Sequence, residues 1–201
     1  MDQALFLWIN HGWSNPLLDP FFMWVSQWWT FSFPLLLLFL AVWWRQYGRD
    51  GLLFWLVVIV AIGTGDQLGN QLKHLFDQFR PCFELVGTAR YVGHAAGSTC
   101  TDSSSGLPSN HALNFFAAAA VITLVLRRWS WGIGLFGISV LVAVSRVYLA
   151  KHYPSQVLVG GFIGTGWGLL WGYLALRFLP PVRRLCPALQ PAAESTTATE
   201  P

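Results

Sequence analysis

The chain is 201 residues long, 54% hydrophobic and only 10% charged, with 12 Trp and a net charge of +3. Soluble domains carry about 25% charged residues, so this composition and its long apolar runs specify an integral membrane protein. The small, scattered positive charge excludes a nucleic-acid-binding surface, and the length suits one compact membrane domain without internal repeats.

Residues 1–13 mix Leu5, Trp8 and Ile9 with Asp2, Gln3 and Asn10, the pattern of a short helix lying in the membrane interface, and 16–29 is similar with a Trp-rich end. The first residues lack the basic start of a signal peptide, so insertion is expected to rely on the first hydrophobic segment. Residues 1–28 thus read as N-terminal interfacial helices and 29–186 as the membrane domain. The first crossing is predicted over 29–44, flanked by Trp28-Trp29 and Trp43-Trp44 as aromatic belts, and ends in a polar turn at 45–50.

The second crossing is predicted over 51–74. Its latter half carries Asp66, Asn70 and Lys73 at spacings of four and three, hence on one helical face. Asp66 reads as a buried partner for Lys73 or a packing polar residue. A long polar loop, 75–107, precedes crossings at 109–126, 131–150 and 155–179. The fold class is therefore an all-α polytopic membrane bundle of about five crossings. Residues 187–201, rich in Ala, Thr, Glu and Pro, read as a disordered tail.

Arg45, Arg49, Arg127, Arg128, Arg177, Arg183 and Arg184 fall in short ordinary loops on one side, which the positive-inside rule makes cytoplasmic. Lys73, Arg80, Arg90, Arg146 and Lys151 fall on the other side, and an anion-binding site there supplies a reason for them. Cys82 and Cys100 both lie in the external loop, where an oxidising compartment lets them pair. Cys186 is assigned to the cytoplasmic tail as a free thiol.

Three polar clusters stand at the mouths of apolar segments on that external side: 73–81, 108–111 and 145–156. Together they supply Lys73, Arg80 and Arg146, whose charges suit phosphate, the Arg fork giving paired hydrogen bonds. Ser109 and the free amides at a helix start complete an oxyanion cradle. His111 and His152 provide a nucleophile or base and a general acid. No carboxylate cluster calls for a divalent metal, and the fixed cations carry the charge a metal would neutralise, so no cofactor is expected.

The ordered motifs Lys-x6-Arg-Pro, Pro-Ser-x-His and Ser-Arg-x5-His resemble those of the type 2 phosphatidic acid phosphatases, membrane lipid phosphatases whose phosphate pocket is shared with vanadium-dependent haloperoxidases. The resemblance covers about residues 51–179. It implies that His152 is the nucleophile that forms a phosphohistidine and His111 the acid that protonates the leaving group. It also implies that Lys73, Arg80, Ser109, Arg146 and the N–H of Asn110 hold phosphate.

Two positions depart from the family pattern: Asn110 stands where Gly is usual, and Gln156 where an Asp follows the nucleophilic His by four residues. The comparable Asp→Asn change in serine proteases costs about 10⁴ in rate, chiefly through the His tautomer. Gln156→Asp is accordingly expected to raise activity. The implied activity is hydrolysis of a lipid phosphate or diphosphate, first of all undecaprenyl diphosphate, at the external leaflet of a bacterial inner membrane. The rivals are a lipid phosphotransferase and a lipid-phosphate binder that lost turnover at Gln156. Nothing in the sequence sets an oligomeric state.

Overall fold

The structure, a computed structural model, describes residues 1–95, 97–100 and 105–187. These form helices α1 (Asp2–Gly12), α2 (Leu18–Val25), a π-helical turn (Trp28–Ser32), α3 (Phe33–Phe76), α4 (Pro81–Glu84), α5 (Asn110–Leu126), α6 (Trp129–Tyr148), α7 (Pro154–Phe178) and α8 (Pro180–Arg183). Among the described residues the β-structure is confined to an isolated bridge between Phe79 and Ser105. The protein is a helical membrane bundle: α3, α6 and α7 are long and apolar enough to cross a bilayer, and α5 is a shorter apolar helix.

Helix α3 has 44 residues, which would span about 66 Å if straight, twice a bilayer core. It is a hairpin instead. Gly48 sits at φ 55°, ψ −130°, a conformation that a Cβ would make costly, and the chain doubles back there. Trp55 Nε1 donates to the Leu36 carbonyl at 3.0 Å, and the rings of Trp43 and Phe54 stack at 4.7 Å. Along a continuous helix Leu36 and Trp55 would stand about 28 Å apart. The arms, 33–47 and 49–76, match the first two predicted crossings, with the fold-back inside the predicted polar turn.

Helix α5 is packed from several sides, most closely by α7. Gly160, Gly164 and Gly168 form a ridge of four-residue spacing on α7, and a methyl group on any of them would strike the carbonyl of Ser109, Leu113 or Ala117. Small residues at such a crossing let two backbones approach closely in lipid, where dispersion replaces the hydrophobic effect as the cohesive force. The contact pins the start of α5 against the start of α7. Large apolar side chains such as Ile133, Leu158 and Phe162 face outward.

The two ends of the bundle differ. At one end, Arg184 pairs with Asp50 across 3.3 Å beside the α3 fold-back. Cys186 is here too, free but buried with Val182 and Leu185. This corrects the expectation of a tail thiol: the α8 turn folds back and packs its apolar side chains under the hairpin. The expected disordered tail lies, from residue 188 on, outside the described residues.

The other end carries the loop after α3, where Cys82 and Cys100 form a disulfide with Cα atoms 5.6 Å apart. Helices α1 and α2 are fastened over this end. Buried Asn10 donates to the carbonyls of Arg90 (2.9 Å) and Tyr148 (2.7 Å) and accepts from the Arg90 N–H (2.8 Å). Arg90 pairs with Asp19 at 2.8 Å, and Asp2 accepts from the Ser155 N–H at 3.0 Å.

Candidate active site

The three polar clusters meet at this second end, stitched by their own backbones. The Gly106 N–H donates to the Gln78 carbonyl at 2.6 Å, joining the first cluster to the approach of the second. The Ser109 N–H donates to the Gln156 carbonyl at 3.1 Å, joining the second to the third. The Cys82 N–H donates to the Ala150 carbonyl at 3.2 Å, closing the triangle. Arg80 is buried, its Nε donating to the Ser105 carbonyl at 3.1 Å, and Ser105 Oγ donates to the Lys73 carbonyl at 2.9 Å.

His152 lies in the tight link between α6 and α7, its N–H donating to the Arg146 carbonyl at 3.2 Å. The ring is 2% exposed. Its Nδ1 is 2.9 Å from the Gly106 carbonyl and 3.2 Å from Gln156 Oε1. Both neighbours are acceptors, so Nδ1 carries the proton and Nε2 keeps a lone pair. Burial first, then the charges of Arg146 and Arg80, and then His111 and Lys73, hold His152 well below the ordinary histidine range. The ring is neutral at pH 7 for that reason.

Gln156, on the first turn of α7, is fully buried and its amide has one allowed orientation. Oε1 accepts from the Tyr153 N–H at 3.1 Å, and Nε2 donates to the Phe79 carbonyl at 2.8 Å and lies 3.4 Å from Gln78 Oε1. The oxygen is thereby turned toward His152. Gly106 lies so close to this amide that a methyl group there would collide with it.

Ser109 is the N-cap of α5 but does not cap it: its hydroxyl makes no bond to the helix amides. The residue is fully buried, and among the described residues its Oγ has no hydrogen-bond partner. A serine here ordinarily satisfies an orphan amide, so this hydroxyl and the first N–H groups of α5 remain for a ligand. His111, on that first turn, is hydrogen-bonded to the Ser26 carbonyl and acted on electrostatically by Arg146, Lys151 and Lys73. Arg146 Nη1 donates to Ser26 Oγ. The Asn110 side chain points away from this cluster, donating to Asp66 at 2.9 Å and to Asn70 at 2.8 Å. Lys73 Nζ lies 3.4 Å from Asn70 Oδ1.

The description of a known family fits this arrangement. The model of the PAP2 superfamily matches residues 52–179, which contain all three clusters.

The chain belongs to the PAP2 superfamily.

Individual relatives agree. The lipid A 4'-phosphatase of Porphyromonas gingivalis is 24% identical over 82% of this chain and 68% of its own length. The putative undecaprenyl-diphosphatase YbjG of Escherichia coli is 32% identical over 65% of the chain and 62% of its own length. Among solved structures, Aquifex aeolicus LpxE superposes with a TM-score of 0.64 at 26% identity, covering 85% of this chain and 93% of that one. This PAP2 protein is a multi-pass membrane phosphatase, a hydrolase of the lipid-phosphate class.

The candidate site also contains groups to which sequence reasoning gave no role. The Gly106 carbonyl on His152 is a backbone atom, which no residue letter announces. Ser26 comes from the N-terminal segment, read above only as interfacial. Lys151, counted above among the external cations but given no role of its own, lies over the Tyr91 ring at 5.4 Å and adds a charge near His111. Asp66, considered as a partner for Lys73, is linked to that lysine through Asn70, and its own oxygens accept from asparagines.

Proposed function

We propose that this PAP2 protein hydrolyses a lipid phosphate or diphosphate through a phosphohistidine on His152. The observation that carries the reading is the state of that ring: Nδ1–H is held by the Gly106 carbonyl and the Gln156 oxygen, and Nε2 is left as a nucleophile among buried cations. Nε2 attacks phosphorus in line, the bond from phosphorus to the leaving oxygen breaks, and His111 gives that oxygen its proton. Arg80, Arg146 and Lys73 offset the charge on the equatorial oxygens, and Ser109 Oγ and the Asn110 N–H donate to them. Water then attacks the phosphohistidine, passes a proton to His111, and phosphate leaves with His152 restored.

A cleft supports a lipid as the substrate. It runs between the hairpin, α5 and α6, is walled by Trp28, Phe39, Trp43, Ile122 and Ile138, and reaches Asn114 and Phe115, one turn from His111. An acyl or isoprenyl tail fits that apolar lining. Undecaprenyl diphosphate is the first candidate, given the Escherichia coli relative and a 31% identical undecaprenyl-diphosphatase of Sulfolobus acidocaldarius, matched over 55% of this chain and 50% of that protein. The disulfide beside the site and the arginines at the far end support an active site facing the exterior of a bacterial inner membrane.

The test is a panel of lipid phosphates and diphosphates in detergent, with released phosphate as readout. Wild-type protein turns over at least one lipid, and His152→Ala abolishes release while retaining lipid binding. A wild type that binds these lipids and releases nothing is a binder, and the hydrolase reading falls. Label passing to a second lipid rather than to water identifies a phosphotransferase.

A further inference from the structure

Below the phosphate site lies a carboxylate that the proposed mechanism does not use. Asp66 is seven residues before Lys73 on the second arm of α3, about 10 Å deeper along the helix axis. Its Oδ1 accepts from Asn110 Nδ2 at 2.9 Å and Asn114 Nδ2 at 3.1 Å, and its Oδ2 accepts from Asn70 Nδ2 at 3.2 Å. Asn70 Oδ1 in turn accepts from Asn110 Nδ2 at 2.8 Å and lies 3.4 Å from Lys73 Nζ. Ionisable side chains inside membrane helices are rare because apolar surroundings penalise their charge. Here amide donors from two helices offset it, and hydrogen bonds to an ionised acceptor are stronger and more directional than neutral ones.

The network joins the two walls of the site. Asn70 connects Asp66 to the arm that presents Lys73. Asn110 connects it to the first turn of α5, whose start carries Ser109, the Asn110 N–H and His111. The fit is close: Gly69 packs against the Asn110 amide oxygen with no room for a side chain. We propose that Asp66 is a positioning residue that, through Asn70 and Asn110, sets the separation of Lys73 from the start of α5 and thereby the width of the phosphate site. This inference rests on the phosphatase reading above. Asp66 touches no reacting atom, so its removal misplaces cations and amides relative to the transition state. Such a defect lowers kcat more than it alters KM.

The experiment uses the full chain in detergent and undecaprenyl diphosphate, or whichever panel lipid the wild type turns over. Asp66→Ala lowers kcat by about 10–100-fold, the range usual for groups that orient a site from behind, with a much smaller change in KM. Asp66→Asn keeps the shape but opposes its own N–H₂ to that of Asn70, and lowers kcat by an intermediate factor. Asp66→Ala combined with Asn110→Ala is no slower than the slower single variant, because both cut the same tether. Wild-type kcat in the Asp66 variants, losses that multiply in the double variant, or a change confined to KM overturns the proposal. Where Asp66→Ala does not fold, Asp66→Asn decides by its kcat. A wild type that hydrolyses no lipid overturns the phosphatase reading and this inference with it. Turnover that ignores Asp66 overturns this inference alone.

Discussion

His152 donates from Nδ1 to two oxygens, a backbone carbonyl and a side-chain amide, where a catalytic histidine more often meets a carboxylate. A carboxylate contributes two things: it fixes the tautomer and it stabilises the imidazolium. The Gly106 carbonyl and Gln156 supply the first and not the second. Gln156→Ala therefore lowers kcat by about 10–100-fold, well short of the ~10⁴ that loss of the right tautomer costs in serine proteases. A loss near 10⁴ in steady-state kinetics would mean that Gly106 does not hold the ring. The gain expected from Gln156→Asp is bounded for the same reason: charge is added, but the tautomer is already fixed and the bond to the Phe79 carbonyl is lost.

The same residue sets a pH dependence. In the folded protein His152 binds its proton only well below pH 6.5, whereas in the unfolded chain it binds one near 6.5. Between those values the unfolded state holds more protons, so stability falls as pH drops below about 6.5. Denaturation in detergent at pH 5 and pH 7 measures this slope, and His152→Ala flattens it. A slope unchanged in that variant contradicts the assignment.

At the scale of elements, most of the bundle was legible in the chain, because hydropathy reports long apolar helices directly. The predicted second crossing, 51–74, corresponds to the arm 49–76, and the predicted third, 109–126, to α5 at Asn110–Leu126. The polar turn at 45–50 contained the fold-back, although the pivot on Gly48 depends on a dihedral that residue type only permits. The distant bonds of the N-terminal helices were not legible. Their amphipathic pattern reads as an interface helix, but Asn10, Asp19 and Asp2 bond to residues 71 to 153 positions away. Polar residues on a short helix look the same in sequence whether they meet water or a distant carbonyl. Cys186 is free as read, but a thiol after an apparent final helix gives no sign of the α8 turn that buries it.

For the molecule as a whole, function follows from the two ends of the bundle having different chemistry. The hairpin end carries the ordinary loops, with Arg184 paired to Asp50. The opposite end draws Lys73, Arg80, Ser109, His111, Arg146 and His152 from three stretches of chain and ties those stretches together through main-chain bonds. An apolar cleft lies between the hairpin, α5 and α6. The proposal that the site faces the exterior rests on the disulfide beside it and the arginines at the far end.

The most direct measurement is the structure of the protein with orthovanadate, a tetrahedral anion that becomes trigonal-bipyramidal on accepting a nucleophile. Vanadium bonded to His152 Nε2, with its oxygens about 3 Å from Ser109 Oγ, the Asn110 N–H and the guanidinium groups of Arg80 and Arg146, is the predicted result. Vanadate seated away from His152, or bound there without Ser109 and the two arginines, would contradict it.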